Sequence, residues 1–355
     1  MSLEVVWFIL IAVLWTGYFV LEGFDFGVGM LLPFLGRTEE DRKAMLNSIG
    51  PVWDGNEVWL IVAAGATFAA FPLWYATMFS GFYLALLLIL VCLILRVLSF
   101  DWRGRSESPR WQRFWTRANA VCSAGASLVW GVALANLIEG LPIGSDHHYT
   151  GSVLDLFSPF TIFSGFATVL LFLFHGSGFL SLRAVGELGE RAATTARRLA
   201  GPAVLAGTVL MIWIVIVAVE NNARGVLGPA VPAAIGSLAL SVSALAAFRG
   251  RAGVSFTFGA IGIAGYTATL FTGLFPRVMV SSTDFASSLS TANAAASDYS
   301  LTVITIVASV LLPVILAYQG WSYWVFRHRV SAGGFDEVSN PIEALRRRSE
   351  RGGEP

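Results

Sequence analysis

Apolar runs close to or longer than the roughly 18 to 20 residues that cross a bilayer recur along the whole chain, separated by polar connections rich in arginine. The pattern predicts nine spans, at residues 4–26, 53–71, 76–99, 118–139, 159–181, 201–220, 230–248, 254–274 and 301–325. Such runs are too long for barrel strands, and in lipid only helices or closed barrels satisfy their own backbone. The expected fold is therefore an all-α integral membrane protein. No large soluble domain is left over: residues 1–326 make a polytopic transmembrane domain, and 327–355 a polar tail in which Asp336, Glu337, Glu343 and Glu350 alternate with arginines. No internal repeat is visible, although span count and loop lengths permit two four-helix bundles plus one extra helix.

Composition agrees with a membrane class. Of 355 residues, 55% are hydrophobic and 13% charged, against roughly 25% charged in a soluble domain. The start, MSLEVVWFIL, has no basic segment before its apolar stretch and no small-residue cleavage pattern after it, so it reads as a first transmembrane helix and not as a removed signal peptide. A formal net charge of zero gives no sign of a nucleic-acid partner. Cys92 and Cys122 lie in or beside spans and read as packing residues.

Charge placement orients the chain. Twenty of the 23 basic residues fall in connections on one side and two, Arg224 and Arg277, on the other, with Arg96 near the inner end of the third span. The positive-inside rule then puts the N-terminus outside and the C-terminus in the cytoplasm. The polar stretch 281–300, rich in small residues, reads as an outer loop.

The candidate chemistry is acidic. In FVLEGFDFGVGM, residues 19–30, Glu22 and Asp25 stand three apart near the cytoplasmic end of the first span, so both face the same way. Gly23, Gly27 and Gly29 allow another helix to come close. In GPVWDGNEVWLI, residues 50–61, Asp54 and Glu57 repeat the spacing where the second span begins, on the same side. Four carboxylates at similar depth cannot all stay ionised and dry, and groups poised between charge states can pass protons. The plainer alternative is helix capping, with Asp54 at a helix start, or pairing with Arg37, Arg42, Lys43 or Arg96 at the interface. Trp53 and Trp59 read as interfacial anchors or packing.

Histidines are too few for a set of haems. His147 and His148 lie in an outer loop and His328 in the tail, leaving His175 within a span. One intramembrane histidine cannot supply two bis-histidine haems, and a lone one is more often a packing hydrogen-bonder than a ligand, which leaves His175 a weak cofactor candidate. No metal spacing such as HExxH or CxxC and no phosphate loop is present, so neither a metal site nor catalytic residues are assigned to this chain.

The motifs GFDFGVGMLLPFLG, WDGNEVWLI, FPLWYATMFSGFYLALLLIL, FDWR and FPRVMVSS, in this order along nearly the whole chain, resemble subunit II of the cytochrome bd-type quinol oxidases. The resemblance implies a terminal oxidase that passes electrons from quinol to dioxygen, making water. It also implies a haem-bearing subunit I that carries haem b and haem d, and a nine-helix subunit II packed against it as a pseudo-symmetric heterodimer. Through the family's motifs Asp25 and Asp54 become parts of a cytoplasmic-side proton pathway; Glu57 and Glu22 join them on helical spacing alone. A structural quinone and a small single-helix subunit are left open by the resemblance. The chain departs from many relatives at Val280, where they have proline. A proton-coupled secondary transporter is the alternative, but transporter sites lie at mid-bilayer on broken helices. Here the acids lie at one end, and Pro313 is the proline expected well inside a span.

Overall fold

A computed structural model describes residues 2–222, 225–327, 329 and 330. The helices are α1 (Leu3–Leu35), α2 (Glu39–Ile49), α3 (Trp53–Ala70), α4 (Pro72–Gly81), α5 (Tyr83–Trp102), α6 (Pro109–Glu139), α7 (Pro159–Arg183), α8 (Gly186–Asn221), α9 (Leu227–Phe248), α10 (Ala252–Leu274) and α11 (Asp298–Val325). The all-α membrane architecture is as expected. Prolines open α4, α6 and α7, where the missing N–H costs nothing. Thr38 with Asp41 closes a capping box on α2, and Ser297 caps α11.

Among the described residues eight helices are long and apolar enough to cross a membrane. The remaining expected span is α3, whose first two turns carry Asp54, Asn56 and Glu57 and lower its hydropathy. It nonetheless packs along α1 and α11. The expected span 76–99 is two helices, because the chain breaks at Phe82, after the helix that Pro72 starts. Helices also overrun the apolar stretches. Hence Pro33, Pro202 and Pro232 lie inside helices along with Pro313, although the first three fall beyond or at the ends of the expected spans.

The packing sorts the long helices into one group of α1, α3, α5 and α6 and a second of α7 to α10, with α11 at the edge against α3 and α1. The seam between the groups is α1 and α6 against α7. α1 is the central element, buried without interruption from Glu22 to Leu32. Its glycines make this possible: a Cβ on Gly27 would lie 2.7 Å from Gly176 Cα and nearer still to Phe172 O, both rigid backbone. Gly27→Ala is therefore expected to destabilise the protein by about 1–3 kcal/mol, the usual cost of overpacking. A lowered thermal midpoint of the purified protein checks this, and an unchanged one contradicts the close crossing.

The stretch 281–300 is an ordered cap and not an open loop. The strand Arg277–Met279 pairs antiparallel with Leu289–Ser290, and Ser281 Oγ donates to Ile143 O at 2.9 Å. Its serines and asparagine satisfy the cap's own backbone, as Asn293 does for Ser290 N at 2.7 Å. Val280 N donates to Leu137 O at 3.1 Å, a bond that a proline at this position could not make. Cys92 and Cys122 are free, buried thiols. Arg224, His328 and the tail from 331 to 355, with Asp336, Glu337, Glu343 and Glu350, lie outside the described residues. The described start of that tail returns to the bundle, with Val330 N donating to Arg183 O at 2.8 Å.

Candidate functional site

Glu22 and Asp25 do share a face of α1, and both are fully buried. Opposite Glu22 stands Arg96 of α5, also fully buried, which donates from Nη1 to Glu22 Oε1. Its guanidinium lies 4.9 Å from the Phe26 ring and 5.4 Å from the Phe100 ring, aromatic faces that favour a desolvated cation. Asp25 Oδ2 accepts from Asn56 Nδ2 of α3 at 2.7 Å. Asn56 is held in turn from α11, because its Oδ1 accepts from Tyr323 OH at 2.6 Å and from Gln319 Nε2 at 3.3 Å. Four helices thus converge on one polar cluster at the end of the α1–α3 pair.

Glu57 joins the cluster: Arg96 is within electrostatic reach of Glu22, Asp25 and Glu57 together. Glu22 Oε2, Asp25 Oδ1 and Glu57 Oε2 are buried without a hydrogen-bond partner. Each can accept or hold a proton without giving up an existing bond. Asp54 stands apart. It is exposed at the first turn of α3 and lines a cleft of about 270 Å³ between α3 and α11, together with Gln319 and Ser322. The expected group of four carboxylates is therefore three inside and one at the edge. Helical spacing aligned Asp54 with Glu57, but Asp54 sits a turn nearer the helix end, where neighbouring helices no longer cover it.

Asn56, Gln319 and Tyr323 are the functional candidates that sequence reasoning missed; Arg96 is among the expected partners of the acids, but fully buried and not at the interface. Arg96 carries a signal, since a charge inside LLLILVCLILRVLSF is by default a site residue, but it reads equally as a boundary charge. Asn56 lies inside the WDGNEVWLI motif. Gln319 and Tyr323 carry no local signal, because their role depends on where α11 docks. Trp53 packs against Phe100 at 5.3 Å between ring centres, and Trp59 lies against the core.

A second set of charges anchors the end of the bundle outside the spans. Arg103 makes two hydrogen bonds of 2.6 Å to the Glu39 carboxylate, and Arg191 one of 2.6 Å to Asp41. Burial opposes ionisation of Glu39, but the Arg103 hydrogen bonds and charge, with Arg42 and Lys43, outweigh it and hold its carboxyl below the ordinary range. Arg42 contacts Glu39 at 3.6 Å and none of the four acids; of the cations expected to meet them, Arg96 does so, at Glu22.

His175 is buried among α1, α7 and α10. Nε2 lies 3.1 Å from Val20 O, the ring stacks on Phe256 at 4.6 Å and 3°, and a Cβ on Gly259 would sit 3.2 Å from Nδ1. Nε2 is thus engaged by the α1 backbone, while Nδ1 is buried without a hydrogen-bond partner. Among the described residues no group of three or more His, Cys, Asp or Glu is placed to hold a metal ion.

Comparison with known proteins places this geometry. Residues 3–326 match the family model described as cytochrome bd terminal oxidase subunit II. The chain is 41% identical over 336 residues to the cytochrome bd ubiquinol oxidase subunit 2 of Bacillus subtilis, covering 93% of this chain and 97% of that protein. It is 36% identical over 362 residues to the cytochrome bd-I ubiquinol oxidase subunit 2 of Escherichia coli K12, covering 93% and 95%. The solved bd oxidase of Geobacillus thermodenitrificans has the same fold, with a TM-score of 0.70 over 92% of this chain and 99% of that chain, at 18% identity.

Proposed function

Because the chain belongs to the cytochrome bd terminal oxidase subunit II family, we propose that it is the haem-free partner of a haem-bearing subunit I, and that it carries protons from the cytoplasm toward the site of oxygen reduction. The complex it serves couples quinol oxidation to reduction of dioxygen to water. The observation that carries the proton role is the set of three clustered carboxylates around one guanidinium, each with a free, buried oxygen.

The roles divide by geometry. Asp54, in the first turn of α3 at the end of the α3–α11 cleft, takes protons up. Glu57, one turn further along α3, passes them inward to Asp25, whose position Asn56 fixes through Tyr323 and Gln319. Arg96 offsets one carboxylate charge and locks Glu22, so Asp25 and Glu57 hold the exchangeable protons. Subunit I covers the α3–α11 face. In support, α11 has 6% of its apolar window buried, and a carboxylate at Asp54 is costly to leave facing lipid. The bias of basic residues supports an N-terminus outside and a C-terminus in the cytoplasm. A proton-coupled transporter would use the same acids, but the family assignment does not favour it.

Asp54→Asn tests the entry step. The purified complex is expected to keep its haem b and haem d bands while oxygen consumption falls about tenfold or more. Full activity in a haem-complete variant removes Asp54 from the path, and loss of the complex assigns it a structural duty at the interface.

A further inference from the structure

Two depressions meet at the start of α6, on the side of the bundle where most arginines lie. The first, of about 340 Å³, is lined by Arg42, Arg103, Arg113 and Arg117 together with Gln112 and Thr116. The second, of about 550 Å³, shares Arg113 and Arg117, adds Arg110, and continues along Leu95, Phe114 and Val121. One is basic and the other mainly apolar, and two arginines stand at their junction.

The register of α6 explains the arrangement. Arg110, Arg113 and Arg117 stand at i, i+3 and i+7 and form one stripe; Phe114, Ala118 and Val121, at i, i+4 and i+7, form a second beside it. The apolar span of α6 begins at residue 118, so the nine residues from Pro109 to Arg117 rise about 13 Å beyond it. The arginine stripe therefore lies at the depth of lipid headgroups, and the apolar stripe runs on into the hydrocarbon.

The arginines are also uncommitted. Among the described residues Arg110, Arg113 and Arg117 make no ion pair, and Glu39, the nearby carboxylate, is held by Arg103 and Arg42. Arg113 donates Nε to Pro109 O at 3.0 Å, a bond within its own helix. Asp101 and Glu107 line neither depression. Three exposed, unpaired guanidinium groups above an apolar groove are complementary to a ligand with an anionic head and a long apolar tail.

We propose that this surface binds an anionic phospholipid, with its phosphate between Arg113 and Arg117 and an acyl chain along Phe114 and Val121. The groove distinguishes this occupant from a free phosphate, which has nothing to place there. The net negative charge distinguishes it from a zwitterionic lipid, whose own amine competes with the arginines. The site is separate from the carboxylate cluster and does not rest on the proton role.

The test is native mass spectrometry of the complex purified in mild detergent, titrated with dioleoyl phosphatidylglycerol and, separately, with dioleoyl phosphatidylcholine. Wild type is expected to retain one more phosphatidylglycerol than Arg113→Gln/Arg117→Gln, whose affinity at this site falls about 30-fold, the product of two surface arginines. Phosphatidylcholine retention is expected to be the same in both. Arg197→Gln/Arg198→Gln, which removes two arginines from α8 on the same side, is expected to behave as wild type. Val121→Trp, which fills the groove and leaves every arginine in place, is expected to release the lipid as well. Equal phosphatidylglycerol retention by wild type and the α6 variant overturns the proposal, as does an equal loss in the α8 control. Displacement of the lipid by millimolar inorganic phosphate, with Val121→Trp unaffected, also overturns it in favour of a simple anion site.

Discussion

Arg96→Leu is expected to prevent accumulation of the complex in the membrane, and adding Glu22→Leu to the same chain is expected to restore it. Arg96 and Glu22 have no exposed surface and pair with each other across α1 and α5. Removing one partner strands a buried charge, which costs about 3–5 kcal/mol, whereas replacing both with apolar side chains of similar volume is close to neutral. Arg96→Lys is expected to fall between, since an ammonium lacks the planar fork that lies over Phe26 and Phe100. The amount of complex recovered and its thermal midpoint check the series. Failure of the double variant to recover would show that the pair is needed for more than mutual charge balance.

Asp25→Asn should leave the complex assembled and slow its oxygen consumption by about a hundredfold, the order expected when a positioned proton-transfer group is lost. The substitution keeps shape and leaves an amide oxygen to accept from Asn56 Nδ2, so the α1–α3–α11 contact persists. What disappears is the ability to hold a proton at that point. Oxygen-electrode rates per haem d, compared with wild type, decide the matter. An unchanged rate would leave Asp25 as a helix-pairing residue, and the buried cluster as a structural device.

The acids of this site were legible in the sequence because their spacing is helical and their surroundings apolar. Glu22 and Asp25 stand out in FVLEGFDFGVGM whatever else the chain does. Their partners were harder to find. An arginine near the end of an apolar run can reach the interface as readily as it can turn inward; packing between α1 and α5 decides, and no local pattern encodes it. Tyr323 and Gln319 lie 267 and 263 residues from Asn56 along the chain, so only the docking of α11 brings them there.

The same limit explains the differences in the fold. Hydropathy sees a continuous apolar stretch from 76 to 99, but the helix that Pro72 starts ends at Gly81 and a new one begins at Tyr83. It sees a polar loop at 281–300, yet that segment folds into a cap because its serines and asparagine bond to its own backbone and to the chain near Ile143. Spacing groups Asp54 with the other acids, but its exposure depends on how far neighbouring helices extend past it.

Proton uptake during oxygen reduction tests the relay most directly. The reduced complex is incorporated into vesicles with the subunit II tail outward, mixed with oxygen, and followed with a pH dye in the outer solution. For Asp25→Asn with full haem content, uptake is expected to slow by the same factor as oxygen consumption. Uptake at the wild-type rate in that variant would contradict a proton path through the buried carboxylates.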